Sequence, residues 1–561
     1  MSLRFCVAAS VSILASAAVA QPVPQTPPTI GSANTVTADP PVARPPTTPC
    51  RVQLFTDVRF ADFSSKPFSY APPSACPGPW QKVVLEADFS IEAGRQFDRT
   101  ANLWIGGVNV YFGTTAEPSR TVGRSWHVER DLTDYTALLL SPAAGETDLG
   151  NLVNGTFTSS LWGSADILFY PAEGDDERDS RRHSGDESPP AADLVLPLSA
   201  GPTGGTVALF DPKAALAATF TLPANVEKAW LDVVLQHQGA NDEFWYTCVP
   251  DNLGGELQSC IGTAFREGEV SIDGQPAGVV PIYPWIFTGG IDPLLWRPIP
   301  AVQALNFVPY RVDLTPFAGV LSNGQPHRIA VNVFNDSQFF STTATLLVFL
   351  DHGSRRVTGE VTANTIGAPS PVLQTNLSTD PQGTVTGTVA ITSSRQFVVA
   401  GFVKTSHGKV RTEVVQKIDF SNSQQFVSPT SAAVAFVQNI TQRTDISSTT
   451  TVRGGERPRE VTTRMSWPLE VDLAVPPDGT FQTSIHQGYQ RSDTVSHEGD
   501  IESGSVVSSS VAPTDDFPSG QGQANSQHYF SADSTGACYS RSITAAGGVL
   551  TGIVDGADCG R

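Results

Sequence analysis

Helix-forming runs, methionine and positive charge are what this sequence has least of. There are 2 Met in 561 residues, and stretches of Ala, Leu, Glu and Lys and apolar heptads are missing. That argues against helical bundles and coiled coils. Lys and Arg number 35 against 55 Asp and Glu, a net charge of −20. A phosphate backbone needs a basic face, so no nucleic-acid partner is expected. Beyond residue 20 no run is long and apolar enough to span a bilayer. Cys-x-x-Cys, His-rich spacings and His-Glu-x-x-His are absent, so no metal is expected. Gly-x-Ser-x-Gly and a Rossmann glycine fingerprint are absent too, so neither a serine-hydrolase elbow nor a dinucleotide is expected, and no cofactor is called for.

What is abundant is Val, Thr, Ser and Phe, with 48 Gly and 43 Pro. This composition favours strands joined by tight turns. The length exceeds one core and fits several domains. The N-terminus reads as a secretory signal over 1–20: Arg4, then the apolar run Val7 to Ala15, then the small residues Ala18-Val19-Ala20 before Gln21. A secreted or periplasmic location is expected, with no membrane contact after cleavage. Residues 21–49, rich in Pro and Thr, read as a flexible or extended leader.

Cleavage would remove Cys6 and leave six cysteines, an even count that suits disulfides in an exported chain. They fall into three sequence-local pairs, expected as Cys50–Cys76, Cys248–Cys260 and Cys538–Cys559, although fifteen connectivities are formally open.

Residues 82–139 have an echo over 228–317. In each, an alternating strand leads to a polar tip, Gly94 to Arg99 and Gly239 to Trp245. A strand with a Gly turn follows, and then a matching close, Trp126 to Thr133 and Tyr310 to Thr315. The repeat predicts an all-β chain with two tandem antiparallel jelly-roll or β-sandwich domains, 50–204 and 205–352. A further β-rich region of long strands, 353–561, is expected to serve packing or scaffolding, with carbohydrate binding as the alternative. The charged stretch Glu173 to Pro190 reads as an exposed loop or a linker.

Carboxylates, arginines and aromatics carry what chemistry there is. Asp98, between Arg95 and Arg99, is either a structural ion pair or a water-activating carboxylate. Glu117, beside Pro118 and Arg120, belongs to a plain turn or a site loop. In Asn241-Asp242-Glu243-Phe244-Trp245-Tyr246 two acids abut three aromatics, suited to sugar rings and hydroxyls or to an acidic turn over a core edge. The loop Phe287 to Pro298 lines a site or packs as an Ω-loop. His127, His237 and His327 have no partner at useful spacing and read as structural.

At these residues the chain resembles the peptide-N-glycosidase A family. The matching segments are Gly94 to Arg99, Trp104-Ile105-Gly106-Gly107-Val108, Thr115 to Arg120, Trp126 to Asp131, Leu149 to Val153, Asn241 to Tyr246, and Phe287 to Pro298. The resemblance implies hydrolysis of the amide joining an Asn side chain to N-acetylglucosamine, with an N-glycopeptide or N-glycoprotein as substrate. On that reading Asp98 is the leading base or water-orienting residue, with Glu243 and Glu117 next. Arg95, Arg99 and Arg120 are candidates for the oxyanion or glycan, Asp242 for substrate hydroxyls, and Trp104, Trp245 and Trp296 for sugar platforms. A monomer is expected. The alternatives are a non-catalytic glycan-binding protein and a glycoside hydrolase acting on N-glycans.

Overall fold

The structure, a computed structural model, describes residues 28–172, 191–239, 241–454 and 458–560, with the backbone only at 521. The expected signal 1–20 with Cys6, the start of the leader, the charged stretch from Glu173 to Pro190 and residue 240 of the second tip lie outside the described residues.

Strand follows strand, as the composition predicts. In the first unit the strands Cys50–Phe60, Leu161–Pro171, Trp80–Ile91 and Arg124–Asp131 form one four-stranded antiparallel sheet, in that order. Lys66–Tyr70, Ala143–Leu149, Thr100–Ile105 and Val108–Thr114 form the second, again four-stranded. The inward faces close on Trp126, Phe89 and Tyr111, with Phe89 stacked on Trp126 at 5.3 Å.

The second unit repeats that order. Val207–Leu209, Phe339–Leu350, Val226–Gln238 and Tyr310–Asp313 match the first sheet. Leu216–Thr221, Pro326–Phe334, Glu267–Ile272 and Gln275–Pro281 match the second. Equivalent closing bonds show the repeat residue by residue: Leu132 N donates to Val83 O and Leu314 N to Ala229 O, each at 2.9 Å. The strand Leu194–Leu198 pairs with Phe339–Leu350 and so belongs to the second unit's sheet, upstream of the boundary expected at 204/205.

The two sandwiches lie side by side because the segment Ala304 to Phe307 runs along the strand Val108–Thr114. Phe307 N donates to Phe112 O and Thr114 N to Ala304 O, both at 2.8 Å. The Tyr111 hydroxyl donates to Leu305 O at 2.8 Å. Arg311, bonded to Asp232 at 2.7 Å and Asp134 at 2.8 Å, ties the units further along.

From Thr358 to Asp555 the chain builds one 12-stranded antiparallel sheet. Its long strands, such as Val385–Thr405 and Gly408–Ser428, alternate buried and exposed residues. The buried face shares a core with the second unit, whereas the first unit keeps its own. The expected disulfides Cys50–Cys76, Cys248–Cys260 and Cys538–Cys559 all form, closing separations of 26, 12 and 21 residues. Loops of this size restrict the unfolded chain by about 3 kcal/mol each.

The leader departs from expectation. Residues 28–49 are extended, but they are packed as a strap rather than free. Gly31 N donates to Leu550 O at 2.8 Å, Thr35 N to Ser125 O at 2.9 Å and Val36 N to Pro298 O at 3.1 Å. Ala38 is fully buried, and Arg44 pairs with Glu86 at 2.7 Å and Glu129 at 2.8 Å. A Pro-rich segment buries little side chain of its own, but its backbone groups find partners on strand edges contributed by distant parts of the chain.

Candidate active site

Both polar tips leave their strands at the same end of the paired sandwiches. The first begins at Gly94, with φ of 150°, where a Cβ would strike Thr158 and Ser159. Its amide donates to Ser119 O at 2.9 Å, which lays the tip beside the Glu117 loop. The second turns at Gly239, with φ of 84°, and Glu243 N donates back to Gly239 O at 2.7 Å.

A third piece, the loop from Phe287 to Pro298, bridges the two units. Thr288 Oγ1 donates to Thr115 O, and Arg297 Nη2 donates to Glu117 Oε1 at 3.0 Å and to Pro118 O. Gly289 lies so near Asp98 that a Cβ would overlap its carboxylate. Gln96 Nε2 donates to Glu117 Oε2 and to Ala116 O.

The three expected acids therefore meet. Burial pushes Glu117 up to about 7, against Arg297 and Gln96, and the Asp98 charge adds to the rise. Burial and the Asp98 charge likewise raise Glu243 to about 7. Asp98 is raised to about 6 by burial, opposed by Arg99. Asp98 nonetheless keeps access to solvent. Arg99 is buried behind these acids and bonded to Asn151 Oδ1 and Phe97 O, and its Nη2 has no protein acceptor. Burial lowers it to about 10, opposed by the Glu117 and Asp98 charges. Near neutral pH such a cluster can hold one ionised carboxylate beside a protonated one, the pairing that base and acid steps need.

Other expected roles fail on burial. Trp104, Trp245 and Trp296 are enclosed, at 0, 1 and 1% exposure, and offer no ring face to a sugar. Trp104 lies under Gly204, Trp245 packs against Phe420 of the large sheet, and the Trp296 indole donates to Gly290 O at 2.9 Å. Asp242 is also enclosed, bonded to Arg266 at 2.9 Å and accepting the amides of Ser337 and Gln338, so it holds the turn rather than a substrate. Arg95 and Arg120 stay exposed at the rim. His127 and His327, read as structural, bond Asp88 and Asp273, each at 2.6 Å. His237 is buried among Trp245, Trp285 and Phe340, and burial lowers it to about 3.

Sequence reasoning missed Arg297, Gln96 and Gly289 as members of the site. All three stand in the segments already singled out, but none is acidic and nothing in the spacing ties them to Glu117 or Asp98. It also missed the aromatic surface that is open. Phe97 lies 6.2 Å from Phe63 and 5.0 Å from Phe157, and Phe63 is 64% exposed.

Two sequence comparisons agree on one family. The sequence profile of "peptide N-acetyl-beta-D-glucosaminyl asparaginase amidase A" matches residues 38–365, which include Asp98, Glu117, Glu243 and Arg297. The chain is similar to peptide-N4-(N-acetyl-beta-glucosaminyl)asparagine amidase A of Prunus dulcis, 34% identical over 420 residues, 72% of this chain and 70% of that one. Among solved structures it is similar to PNGase F, a glycosylasparaginase from Flavobacterium meningosepticum, with 14% identity and a TM-score of 0.35 over 54% of this chain and 96% of that one. PNGF-II gives 13% and 0.33 over 54% and 66%. With more than half its length under the profile and a full third of aligned positions shared with the plant protein, the chain belongs to the peptide N-acetyl-β-D-glucosaminyl asparaginase amidase A family.

Proposed function

We propose that this protein hydrolyses the amide between an Asn side chain and the first N-acetylglucosamine of an N-glycopeptide or N-glycoprotein. The observation that carries the reading is the convergence of Asp98, Glu117 and Glu243 from two sandwiches into one cluster, in a relative of a protein named for that reaction. The glycan leaves as a glycosylamine and the peptide keeps an Asp.

Asp98, the acid with the lowest pKa of the three, orients a water and takes its proton as the oxygen bonds to the amide carbon. Glu243 or Glu117, still protonated near neutral pH, gives a proton to the departing nitrogen as the C–N bond breaks. Arg99, enclosed behind the three acids, acts on Asp98 through its charge rather than by contact with the substrate. Arg95 and Arg120 at the rim suit glycan hydroxyls. The apolar run near residue 10 and the three disulfides support export to an oxidising compartment.

Incubation of the protein with a defined glycopeptide tests this directly. The peptide should gain the mass of an amide-to-acid conversion at its glycosylated Asn. Asp98→Asn should abolish the gain with the native fold kept, and so should whichever of Glu117→Gln and Glu243→Gln removes the proton donor. An N-acetylglucosamine left on the Asn would instead make the protein a glycoside hydrolase. Binding without any mass change would make it a lectin.

A further inference from the structure

The large sheet meets the second unit through carboxamides as well as through apolar side chains. In the strand Gln521–Asp533, Gln523, Asn525 and Gln527 occupy alternate positions and are buried, so they share one face. Gln523 Nε2 donates to Leu294 O at 3.1 Å and Arg297 O at 2.9 Å, while its Oε1 accepts Gly548 N at 2.7 Å. Asn525 Nδ2 donates to Leu295 O and Ile299 O, both at 2.9 Å. Neighbouring strands do the same elsewhere. Asn422 donates to Tyr246 O at 2.8 Å, and Gln424 and Gln438 donate to Cys248 O and Thr247 O at 2.9 Å.

The stretches held this way are not arbitrary. One follows Glu243 directly, and the other contains Arg297. The first is a single 3-10 turn, Trp245–Thr247, and the second is irregular, so these carbonyls lie outside any strand ladder, and burying them unpaired would be costly. A primary amide carries two N–H donors and can span two carbonyls of a turn, which no apolar or hydroxyl side chain can do. Side-chain packing alone would place Val or Thr on this face of a sheet.

We infer that Gln523 and Asn525 are positioning residues for the active site: by fixing the backbone from Leu294 to Ile299 they set Arg297 on Glu117. The inference rests on the amidase reading for its meaning, but its physical content is the placement of one cation. Both residues lie beyond the segment matched by the family profile. The charged groups acting on Glu117 or near it are Arg297 from the loop, Asp98 and Arg99 from the tip, and Arg124 from the strand Arg124–Asp131. Of these, Arg297 is the one both amides hold; Gln523 also accepts Gly548 N, whose carbonyl takes Arg124, so Asn525→Ala isolates the Arg297 effect.

The test uses the full chain with Gln523→Ala, Asn525→Ala and Arg297→Ala. Carboxyl-carbon NMR, with Glu117→Gln for assignment, reads the Glu117 titration independently of turnover. Losing a neighbouring cation should raise its midpoint by about one pH unit in all three variants. Asn525→Ala added to Arg297→Ala should add nothing. On a glycopeptide, kcat should fall about tenfold with KM nearly unchanged, as misplacement of a transition-state group predicts. Gln487→Ala is the control: Gln487 bonds Pro284 O at 2.7 Å and Val302 N at 2.9 Å, outside the Leu294–Ile299 stretch. It should lower the melting temperature and leave the Glu117 midpoint in place. An unmoved midpoint in the first two variants, or an equal shift in the control, overturns the inference. A wild-type protein inactive on glycopeptides, with the midpoint shifts intact, overturns the amidase reading alone.

Discussion

The carboxylate of Asp98 lies against the backbone of Gly289, in space that any side chain at 289 would need. The first residue sits on the tip of one sandwich and the second on a loop of the other, so this contact limits where the carboxylate can stand. Gly289→Ala should push Asp98 aside, since the carboxyl is the mobile end of the clash. Turnover should drop about 10²-fold. Melting should shift by no more than about 3 °C, the equivalent of roughly 1 kcal/mol. Wild-type turnover in a folded Gly289→Ala protein would remove Asp98 from the chemistry.

The acids also predict a pH profile. With Asp98 at about 6 and Glu117 and Glu243 at about 7, activity should rise as Asp98 ionises and fall as the proton donor is lost. Measured kcat should peak between the two values. Glu117→Gln and Glu243→Gln separate the acid roles: the variant that removes the proton donor loses about 10²- to 10⁴-fold in kcat.

Stability at Glu243 should be lost on the same side of the pH profile as proton-donor activity. Its folded-state value is raised from 4.5 to about 7, so the folded chain holds the proton more tightly than the unfolded one. The associated stability is fully present below 4.5 and is lost as pH rises through about 7. Glu243→Gln removes that loss. Urea midpoints should show the variant more stable than wild type at alkaline pH, by roughly 1–3 kcal/mol, and equal to it in acid. Equal midpoints at both pH values would contradict the raised pKa.

His127 makes the complementary case on the outer sheet. Burial works against its charge, but hydrogen bonds to Asp88 and Glu129 outweigh that and raise it to about 9. Its contribution is present below the ordinary value of 6.5 and is lost as pH rises through about 9. His127→Ala should cost roughly 1–3 kcal/mol in mildly acidic buffer and much less above the folded pKa, read as the difference between chemical-denaturation curves. A pH-independent cost would mean packing, not charge.

Asp242 should prove structural. Its partner Arg266 is enclosed with it, at 0% side-chain exposure for both. Asp242→Ala leaves a buried guanidinium unpaired and should cost about 3–5 kcal/mol. KM of the fraction that remains folded should not change. A raised KM with native melting would return Asp242 to the substrate.

Much of this was legible in the chain because it was periodic or local. Alternation along Trp80–Ile91 and Val226–Gln238 shows in the residues themselves, and so does the echo between the two units. The cysteine pairs are close in sequence, so proximity alone selected them. Asp98, Glu117 and Glu243 could be singled out from their neighbours, arginines on either side of the first, a proline after the second and aromatics after the third, in segments that resemble the family. Trp245 and Trp296 misled because an aromatic beside an acid reads the same whether its ring faces a sugar or a second sheet. The strap misled because Pro-rich composition reports what a segment cannot bury, not what its backbone can bond.

The sequence by itself determined the strands, the duplicated order in which they pair, the disulfides and the identity of the acids, since each depends on neighbours a few residues away or on a repeated pattern. Only the tertiary structure decided that Arg297 would sit on Glu117, that Gly289 would bound Asp98, and that amides from Gln523 and Asn525 would hold the loop between them. Those contacts join segments many strands apart, and a hydrogen bond or an ion pair depends on where two groups end up, which no local pattern encodes.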